Sequence, residues 1–261
     1  MTPYVDRITL YPLKSFDGID VEQCNVLPSG ALEHDRTYAF FDADQKFVNG
    51  KRYAKLHQLR ATFDLAAQTA TLRRPDSEAT VTFQLEQGQT ALTAWVGAYF
   101  NQPVQLRCDR QQGFPDDTDS PGPTIISTAT LEAIASWYPD LNVDTVRRRF
   151  RSNIEIGGVP AFWEDQLFTT SEQTIVFQVG SVTLEGINPC QRCVVVTRNP
   201  ETGEPYPNFQ KMFLAQRQAT LPDWVERSRF NHFFRLAVNT RRVGSGSSLS
   251  IQRGDHLMIK P

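Results

Sequence analysis

Two cysteines, Cys190 and Cys193, enclose Gln191 and Arg192 and are followed by the β-branched run Val194–Thr197. This spacing suits a redox dithiol, half of a zinc site, or one thiolate ligand for a softer metal. Thioredoxin-like pairs lie at a strand-to-helix junction, whereas the β-branched run predicts a strand, which disfavours disulfide exchange. A thiolate beside a guanidinium is a competent nucleophile or soft-metal ligand, and the alternative is two small side chains buried beside a turn.

Zinc binding finds little support elsewhere in the chain. The histidines are scattered, without metal-ligand spacing: His34, His57, His232 and His256. A structural zinc site needs four ligands, and only the two cysteines are close in sequence.

A second group of candidate residues lies in the basic run at 147–149 and in Arg151 and Asn153, just before the strand-like segment 154–156. If the chain is extended here, Arg149, Arg151 and Asn153 share one face. Two guanidiniums and an amide in a row would cradle a phosphate or a polar heterocycle. The alternative is a solvated charge run at the start of a strand.

Lys14 and Ser15 follow a predicted strand in a loop, where functional residues are common. Arg36 follows Asp35 and precedes an aromatic strand. Taken singly, these residues are equally consistent with a surface lysine and half of an Asp-Arg pair.

The composition is that of a globular protein, with 261 residues, 40% hydrophobic and 21% charged. The net charge of −2 gives no general attraction to nucleic acid or an anionic membrane, so neither partner is expected. No apolar stretch approaches the roughly 20 residues of a membrane span. The first residues lack the pattern of a signal peptide, and four cysteines are too few for a disulfide scaffold. We therefore expect a cytoplasmic protein with reduced thiols.

Period-two alternation of apolar residues dominates the chain and predicts a β-rich α+β protein. A hairpin is predicted at 175–184 around Gly180-Ser181, and a shorter one from Tyr38 to Val48. Helices are predicted at 131–138, behind a cap at 127–128, and at 210–219. The tail predicts a strand, a Gly254-Asp255 turn and a strand. The Asp-, Pro- and Gly-rich segment at 109–123 predicts an exposed linker between two β-barrel-like domains.

Several short motifs together resemble one family. They are YPLKS at 11–15, Asp-Arg at 35–36, FRSNI at 150–154, WED at 163–165, PCQRC at 189–193 and NPETG at 199–203. In this order and spacing they resemble the MOSC proteins, named for the domain at the C-terminus of molybdenum cofactor sulfurase. Among these, they are most similar to the mitochondrial amidoxime-reducing component and the bacterial YcbX-type proteins. The resemblance implies an N-terminal MOSC β-barrel domain at 1–105, a linker at 106–123 and a MOSC β-barrel domain with a few helices at 124–261.

The resemblance also implies a molybdenum-molybdopterin cofactor, with Cys193 as the catalytic residue and the thiolate ligand of the metal. It implies these cofactor-binding residues: Lys14, Ser15, Arg36, Arg151, Asn153, Gln191, Arg192 and Asn239. The chain departs from the family pattern at Gln191, Ser152 and 237–238, where the family has serine, proline and Gly-Gln.

The implied activity is reduction of small N-hydroxylated substrates. Four cysteines cannot hold an iron–sulfur cluster and leave Cys193 available, so electrons are expected from a separate flavoprotein or a ferredoxin- or cytochrome-type donor. One alternative is a carrier of the cofactor, or of persulfide sulfur on Cys193. Another is a thiol-disulfide or zinc protein that uses both cysteines.

Overall fold

The computed structural model describes residues 2–244 and 246–260, which form fifteen strands and four α-helices. The strands are β1 (Tyr4–Leu10), β2 (Ile19–Val21), β3 (Gln23–Val26), β4 (Tyr38–Phe41), β5 (Arg60–Asp64), β6 (Thr69–Arg73), β7 (Thr80–Gln84), β8 (Gln105–Cys108), β9 (Ile125–Ser127), β10 (Ile154–Gly157), β11 (Ile175–Val179), β12 (Val182–Gln191), β13 (Arg235–Arg242), β14 (Leu249–Gln252) and β15 (Leu257–Ile259). The helices are α1 (Gln89–Phe100), α2 (Thr128–Ser136), α3 (Val143–Phe150) and α4 (Phe209–Ala219). The predicted β-rich α+β class is confirmed.

The main sheet has eight strands in the order β15-β11-β12-β13-β9-β10-β1-β2. Only the β9–β10 pair is parallel. The first two strands of the chain therefore complete a sheet that otherwise comes from its second half, and β3 pairs with β14 near the C-terminus. An apolar core of alternating residues from these strands lies against the sheet.

The N-terminal part has a core of its own. It contains the three-stranded meander β5-β6-β7, the antiparallel pair β4-β8 and helix α1. Helix α1 buries Leu92, Val96 and Phe100, which lie at i, i+4 and i+8 on one face. Strand β8 extends to Cys108, so the regular structure runs three residues into the predicted linker, and the division into domains at 105 and 124 stays a prediction.

Most of the predicted local elements are confirmed. The β11–β12 hairpin turns at Gly180-Ser181, and helix α2 begins after Ser127, whose hydroxyl accepts a hydrogen bond from the Thr130 N–H at 3.1 Å. Helix α4 matches the predicted second helix. The return of the chain after β4 forms a single bridge between Phe41 and Phe47. The tail strands flank the predicted turn but pair with β3 and β11 rather than with each other.

The predicted strand after Cys193 is wrong, because Val194–Thr197 forms a 3₁₀ turn. Within the described residues this run belongs to no strand pair, and hydrogen bonds from Thr197 and Arg149 hold it instead. The Thr197 hydroxyl donates to the Val194 carbonyl at 2.8 Å, and the Arg149 guanidinium donates to the carbonyl of Val196 at 3.1 Å. No strand directly follows Cys193 to disfavour a redox pair, although one 3₁₀ turn is not the α-helix of a thioredoxin site.

The expected extended backbone at 147–151 is also wrong. These residues end helix α3, which begins after Asn142 and carries Asp144 in its first turn. The Asn142 side chain accepts a hydrogen bond from the Thr145 N–H at 2.8 Å. Arg149 is consequently turned to the backbone of the 3₁₀ turn, while Arg151 closes the helix in the left-handed conformation at φ 54°.

A buried charged cluster connects two parts of the C-terminal core. Arg217 on α4 donates to the Asp165 carboxylate at 2.5 Å, and both side chains are almost fully buried. Glu164, beside Asp165, accepts a hydrogen bond from the Thr130 hydroxyl at 3.0 Å. Burial, with a smaller contribution from Asp165, raises the pKa of Glu164 to about 7. Glu164 is thus largely protonated in the folded protein at mildly acidic pH.

This pKa predicts a pH-dependent effect of Glu164→Gln. The folded protein binds more protons than the unfolded chain between the ordinary pKa of 4.5 and about 7, so its free energy of unfolding falls as the pH rises through that window. Glutamine cannot ionise. We expect the free energy of unfolding of the variant, relative to that of the wild type, to rise by on the order of 2 kcal/mol from pH 5 to pH 8. Urea unfolding at each pH measures this difference. Glu132→Gln, exposed on α2, should keep the wild-type pH dependence, and an unchanged slope in Glu164→Gln would contradict the expectation.

Candidate functional site

A cavity of about 1540 Å³ is lined by both the N-terminal and the C-terminal parts of the chain. All nine candidate residues from the sequence line it: Lys14, Ser15, Arg36, Arg151, Asn153, Gln191, Arg192, Cys193 and Asn239. The structure therefore brings together residues up to 225 positions apart. Their roles toward a ligand stay predictions.

The cavity is cationic although the protein as a whole is slightly acidic. Twelve of its lining residues are Lys or Arg and seven are Asp or Glu, against 27 and 29 in the whole chain. A concave surface with an excess of one charge raises the local concentration of ligands of the opposite charge. The cavity is thus suited to an anionic ligand.

Lys14 is held at the cavity by backbone and side-chain bonds. Its N–H donates to the Tyr38 carbonyl at 2.8 Å, and its ammonium donates to the Phe114 carbonyl at 2.8 Å and to the Asp116 carboxylate. Only 6% of its side chain is exposed. Burial lowers the pKa of Lys14, and Asp116 opposes that shift.

Ser15 and Arg36 both lie in the left-handed region, at φ 74° and 50°, in the two loops that flank the cavity. The Arg36 guanidinium donates to Asp35 and, at 3.5 Å, to Asn153 Oδ1. Burial opposes the charge of Arg36, but Asp35, Asp116 and Tyr11 together outweigh burial, and the pKa of Arg36 is raised. Arg36 therefore stays cationic beside Lys14.

Among the four candidate cations, Lys14, Arg36, Arg151 and Arg192, Arg151 is the least engaged. Its guanidinium carbon lies 4.1 Å from the centre of the Tyr11 ring. Arg149 and Arg192 donate to backbone carbonyls, whereas the Arg151 side chain has no hydrogen-bond partner in the part of the chain that the structure describes. Burial lowers the pKa of Arg151, yet a guanidinium stays protonated in proteins. Its donors are thus available to a ligand.

Tyr11 supports Arg151 as a neutral aromatic platform. Burial raises the pKa of the Tyr11 hydroxyl to about 12, even beside two arginines. A face-on contact between a guanidinium and an aromatic ring stabilises the cation without using its N–H donors. Tyr11 was not among the predicted site residues. Its place at the head of the YPLKS segment was the only signal in the sequence that could have pointed to it.

Asn153 and Asn239 are engaged within the protein. Asn153 Nδ2 donates to the Thr9 carbonyl at 3.1 Å, and Oδ1 accepts from the N–H and the hydroxyl of Thr124, both at 3.2 Å. Asn153 therefore ties β1 to the starts of β9 and β10 and positions the adjacent Arg151. Asn239 Nδ2 donates to Asp117 at 3.2 Å at the cavity wall.

The two cysteines of the loop differ in accessibility. Cys193, just before the 3₁₀ turn, is exposed, as is Gln191. Cys190 is half-buried, and burial raises its pKa although Arg192 opposes the shift. All four cysteines are free. No three His, Cys, Asp or Glu side chains cluster as metal ligands in the described ranges. The loop therefore presents one accessible thiol, at Cys193.

Arg192 fastens this loop to the core. Its guanidinium donates twice to the Leu236 carbonyl, at 2.9 and 2.7 Å, and once to the Phe150 carbonyl, at 3.0 Å. The loop is thus fixed at once to β13 and to the end of α3. These bonds use the donors that the predicted contact with a cofactor would need, so the geometry supports a positioning role for Arg192.

We expect Arg192→Lys to destabilise the protein by about 1–3 kcal/mol, since lysine keeps the charge but loses the planar fork that bonds two carbonyls. Urea unfolding measures this loss. Alkylation of Cys193 by iodoacetamide should also become faster, because the loop is released from its anchor. Arg253→Lys, in an exposed pair with Glu22, is the matched control and should change little. Equal losses in the two variants would contradict the anchoring role.

Comparison with known proteins identifies the family. The family model described as the MOSC N-terminal beta barrel domain matches residues 2–105, and that of the MOSC domain matches residues 124–257. The chain belongs to the MOSC family. Its MOSC domain supplies the loop with Cys193, Arg151 at the end of α3, and strands β9 to β13, whereas Lys14, Ser15 and Arg36 come from the N-terminal barrel domain.

Two relatives are named for the molybdenum cofactor. Molybdenum cofactor sulfurase of Caenorhabditis briggsae is 25% identical over 229 residues, which cover 79% of this chain and 31% of the relative. The enzyme of the same name from Caenorhabditis elegans is 29% identical over 101 residues, which cover 39% of this chain and 13% of the relative. The MOSC protein thus matches less than a third of the length of either relative. These relatives connect the family to the chemistry of the molybdenum cofactor.

Among solved structures, YiiM from Geobacillus stearothermophilus is similar with a TM-score of 0.34 and 13% identity, and the match covers 54% of each chain. The YUAD protein from Bacillus subtilis is similar with a TM-score of 0.41 and 9% identity, over 99% of this chain and 96% of that one. Within residues 2–244 and 246–260 of the MOSC protein, no helix has the length and apolar character to cross a bilayer.

Proposed function

We propose that this MOSC protein binds a molybdenum-molybdopterin cofactor and reduces small N-hydroxylated substrates with electrons from a separate donor protein. The observation that carries the proposal is one cationic cavity with an accessible thiol, Cys193, and a half-buried guanidinium, Arg151, without a hydrogen-bond partner among the described residues. A soft, high-valent metal suits a thiolate, and a phosphate suits a guanidinium fork.

The residues of the cavity fit such a group in three respects. The volume of about 1540 Å³ exceeds the roughly 300–1,000 Å³ of most small-molecule sites, so a cofactor and a substrate can share it. The excess of lysine and arginine matches the phosphate and the acidic character of the ligand. The buried hydroxyl of Ser120 lines the cavity without a hydrogen-bond partner among the residues that the structure describes, and such atoms are rare in folded proteins.

Within this proposal the chain holds and orients the cofactor. Arg151, Lys14 and Arg36 would bind its anionic groups with Ser15 at the same loop, and Cys193 would bind the metal. Gln191 and Asn239 would contact its polar edges, and Arg192 and Asn153 would hold these side chains in place. When bound, the cofactor supplies the two-electron redox chemistry that N–O bond reduction requires. The overall change consumes two electrons and two protons for each N-hydroxyl group and releases the oxygen as water.

The donor is proposed to be a flavoprotein or a ferredoxin- or cytochrome-type protein. An iron–sulfur cluster held by four thiolates would require all four of these cysteines, and Cys24 is buried in the core of the main sheet, away from the cavity lining. The cysteine that would bind molybdenum could not also serve a cluster. These observations support a donor whose redox group is held outside the residues of this sequence.

The second candidate function is transfer of the cofactor, or of sulfur carried as a persulfide on Cys193. The name of the two relatives, molybdenum cofactor sulfurase, and the exposure of Cys193 favour it. A pure persulfide carrier has no need of the arginine and lysine side chains that face the cavity, which favours the reductase.

The deciding experiment uses protein made in a host that synthesises the cofactor. Near-stoichiometric molybdenum and oxidised-pterin fluorescence, with reduction of benzamidoxime by a chemically reduced artificial donor, would support the reductase. Bound cofactor without turnover would support a cofactor carrier. A persulfide on Cys193 by mass spectrometry, without molybdenum or pterin, would support a sulfur carrier and refute the reductase.

A further inference from the structure

The acidic segment between the two domains runs along the cavity. It is anchored first on the N-terminal part, where the Phe114 N–H donates to the Arg36 carbonyl at 2.9 Å and the Phe114 ring contacts Phe41 and Phe47. It is anchored again on the MOSC domain, where the Gly122 N–H donates to the Thr240 carbonyl at 3.0 Å. Residues 115–121 between these anchors, called the strap below, supply six of the residues that line the cavity: Pro115, Asp116, Asp117, Thr118, Ser120 and Pro121.

Glycine is required at both anchors. A Cβ at Gly113 would lie 2.7 Å from the Asp35 carbonyl oxygen, and one at Gly122 would lie 2.6 Å from the Thr240 carbonyl oxygen. The strap therefore begins in close contact with the N-terminal part of the protein and ends in close contact with the MOSC domain. Its own residues form no helix or strand, so the segment between the anchors can move more easily than the anchors.

The strap places carboxylates on the polar groups that would receive a ligand. Asp116 accepts from the Lys14 ammonium, and Asp117 accepts from Asn239 Nδ2 at 3.2 Å. Lys14 is 6% exposed while Asp116 is 87% exposed. Lys14 is thus a buried part of the cavity wall, whereas its partner Asp116 lies on the solvent-exposed side of the ion pair.

We propose that the strap is an autoinhibitory segment, in which the Asp116 carboxylate occupies the anion position at Lys14 and withdraws when a phosphate-bearing ligand binds. The inference rests on the proposed function for the identity of the natural ligand. A well-solvated carboxylate gains little net free energy from an ion pair, so a dianionic phosphate that reaches Lys14, Arg36 and Arg151 together outcompetes it. Before binding, the pair keeps a buried lysine from standing without a counter-ion.

The test measures binding of inorganic pyrophosphate to the full-length protein, freed of any endogenous ligand, by titration calorimetry. Asp116→Asn should bind pyrophosphate roughly three- to tenfold more tightly than the wild type, because the internal competitor is removed. Asp119→Asn changes the same net charge on an exposed strap residue that does not line the cavity, and should change affinity less than about twofold. In a Lys14→Met background, Asp116→Asn should give no gain.

A second readout separates displacement of the strap from a simple gain of positive charge. Pyrophosphate should increase amide hydrogen exchange at 116–120 in the wild type, because the strap leaves the cavity wall. Protection of these amides, equal effects of Asp116→Asn and Asp119→Asn, or no binding to either protein would overturn the proposal. If the protein carries molybdenum but Asp116→Asn binds pyrophosphate no more tightly than the wild type, the autoinhibitory role of the strap is refuted and the cofactor proposal is not. Strap displacement in a protein that never carries molybdenum supports the strap and refutes the cofactor proposal.

Discussion

Cys193→Ala should abolish benzamidoxime reduction, with a loss of more than about 100-fold. Replacing residues that merely orient a metal ligand typically costs 10- to 100-fold, so removing the ligand atom itself should cost more. Alanine is the better replacement than serine, because a serine oxygen could bind a metal. The measurement is turnover with a reduced artificial donor, normalised to the pterin content of each preparation.

Cys190→Ala is the matched control. The Cys190 thiol lies three residues away at the same cavity, but it is half-buried and its raised pKa keeps it protonated. We expect this variant to keep most of the activity. Equal losses in the two variants would contradict a single thiolate ligand and would favour chemistry that uses both cysteines.

Arg217→Met should destabilise the protein by about 3–5 kcal/mol in urea unfolding, because it leaves the Asp165 carboxylate buried without its cation. The two side chains are 0% and 1% exposed, and the guanidinium also lies 4.6 Å from the Phe162 ring. Combining Arg217→Met with Asp165→Leu should recover much of the loss, since a buried pair replaced by apolar groups is often neutral.

The same chain offers an exposed pair for comparison. Arg227 and Asp223 lie 3.7 Å apart with side chains 61% and 107% exposed. Arg227→Met should therefore cost less than about 1 kcal/mol. If both methionine variants lost the same free energy of unfolding, burial would not explain the contribution of the Arg217–Asp165 pair to stability.

The sequence was sufficient to predict nine residues that line the cavity, but not others such as Tyr11, Asp116 and Ser120. The motifs YPLKS, FRSNI and PCQRC identified Lys14, Arg151 and Cys193 as candidates, and the fold brings these three residues to the same cavity. The hairpin at β11–β12 and the cap of α2 were also predictable, because each depends on residues adjacent in sequence.

The roles of some of these residues were not predictable, because they depend on distant backbone groups. Arg192 donates to the carbonyls of Leu236 and Phe150, which no local pattern reveals. The β-branched run after Cys193 favours a strand by its composition, yet it forms a 3₁₀ turn that accepts a hydrogen bond from the distant Arg149. Asp116 was part of a predicted solvent-exposed linker, since its partner Lys14 lies 102 residues earlier.

The pairing of β1 with β10 and of β3 with β14 also has a consequence for synthesis on the ribosome. Ile8 pairs with Ile154, and Gln23 pairs with Gln252, 229 residues later. At about 5–20 residues per second, β3 waits on the order of ten to fifty seconds for its partner to be translated. During that time β3 is an unpaired strand with an apolar face, and β1 has only β2 as a partner until β10 is translated, so both strands are prone to aggregation. The yield of folded protein should therefore depend on chaperones that shield the nascent N-terminus until the last strands emerge.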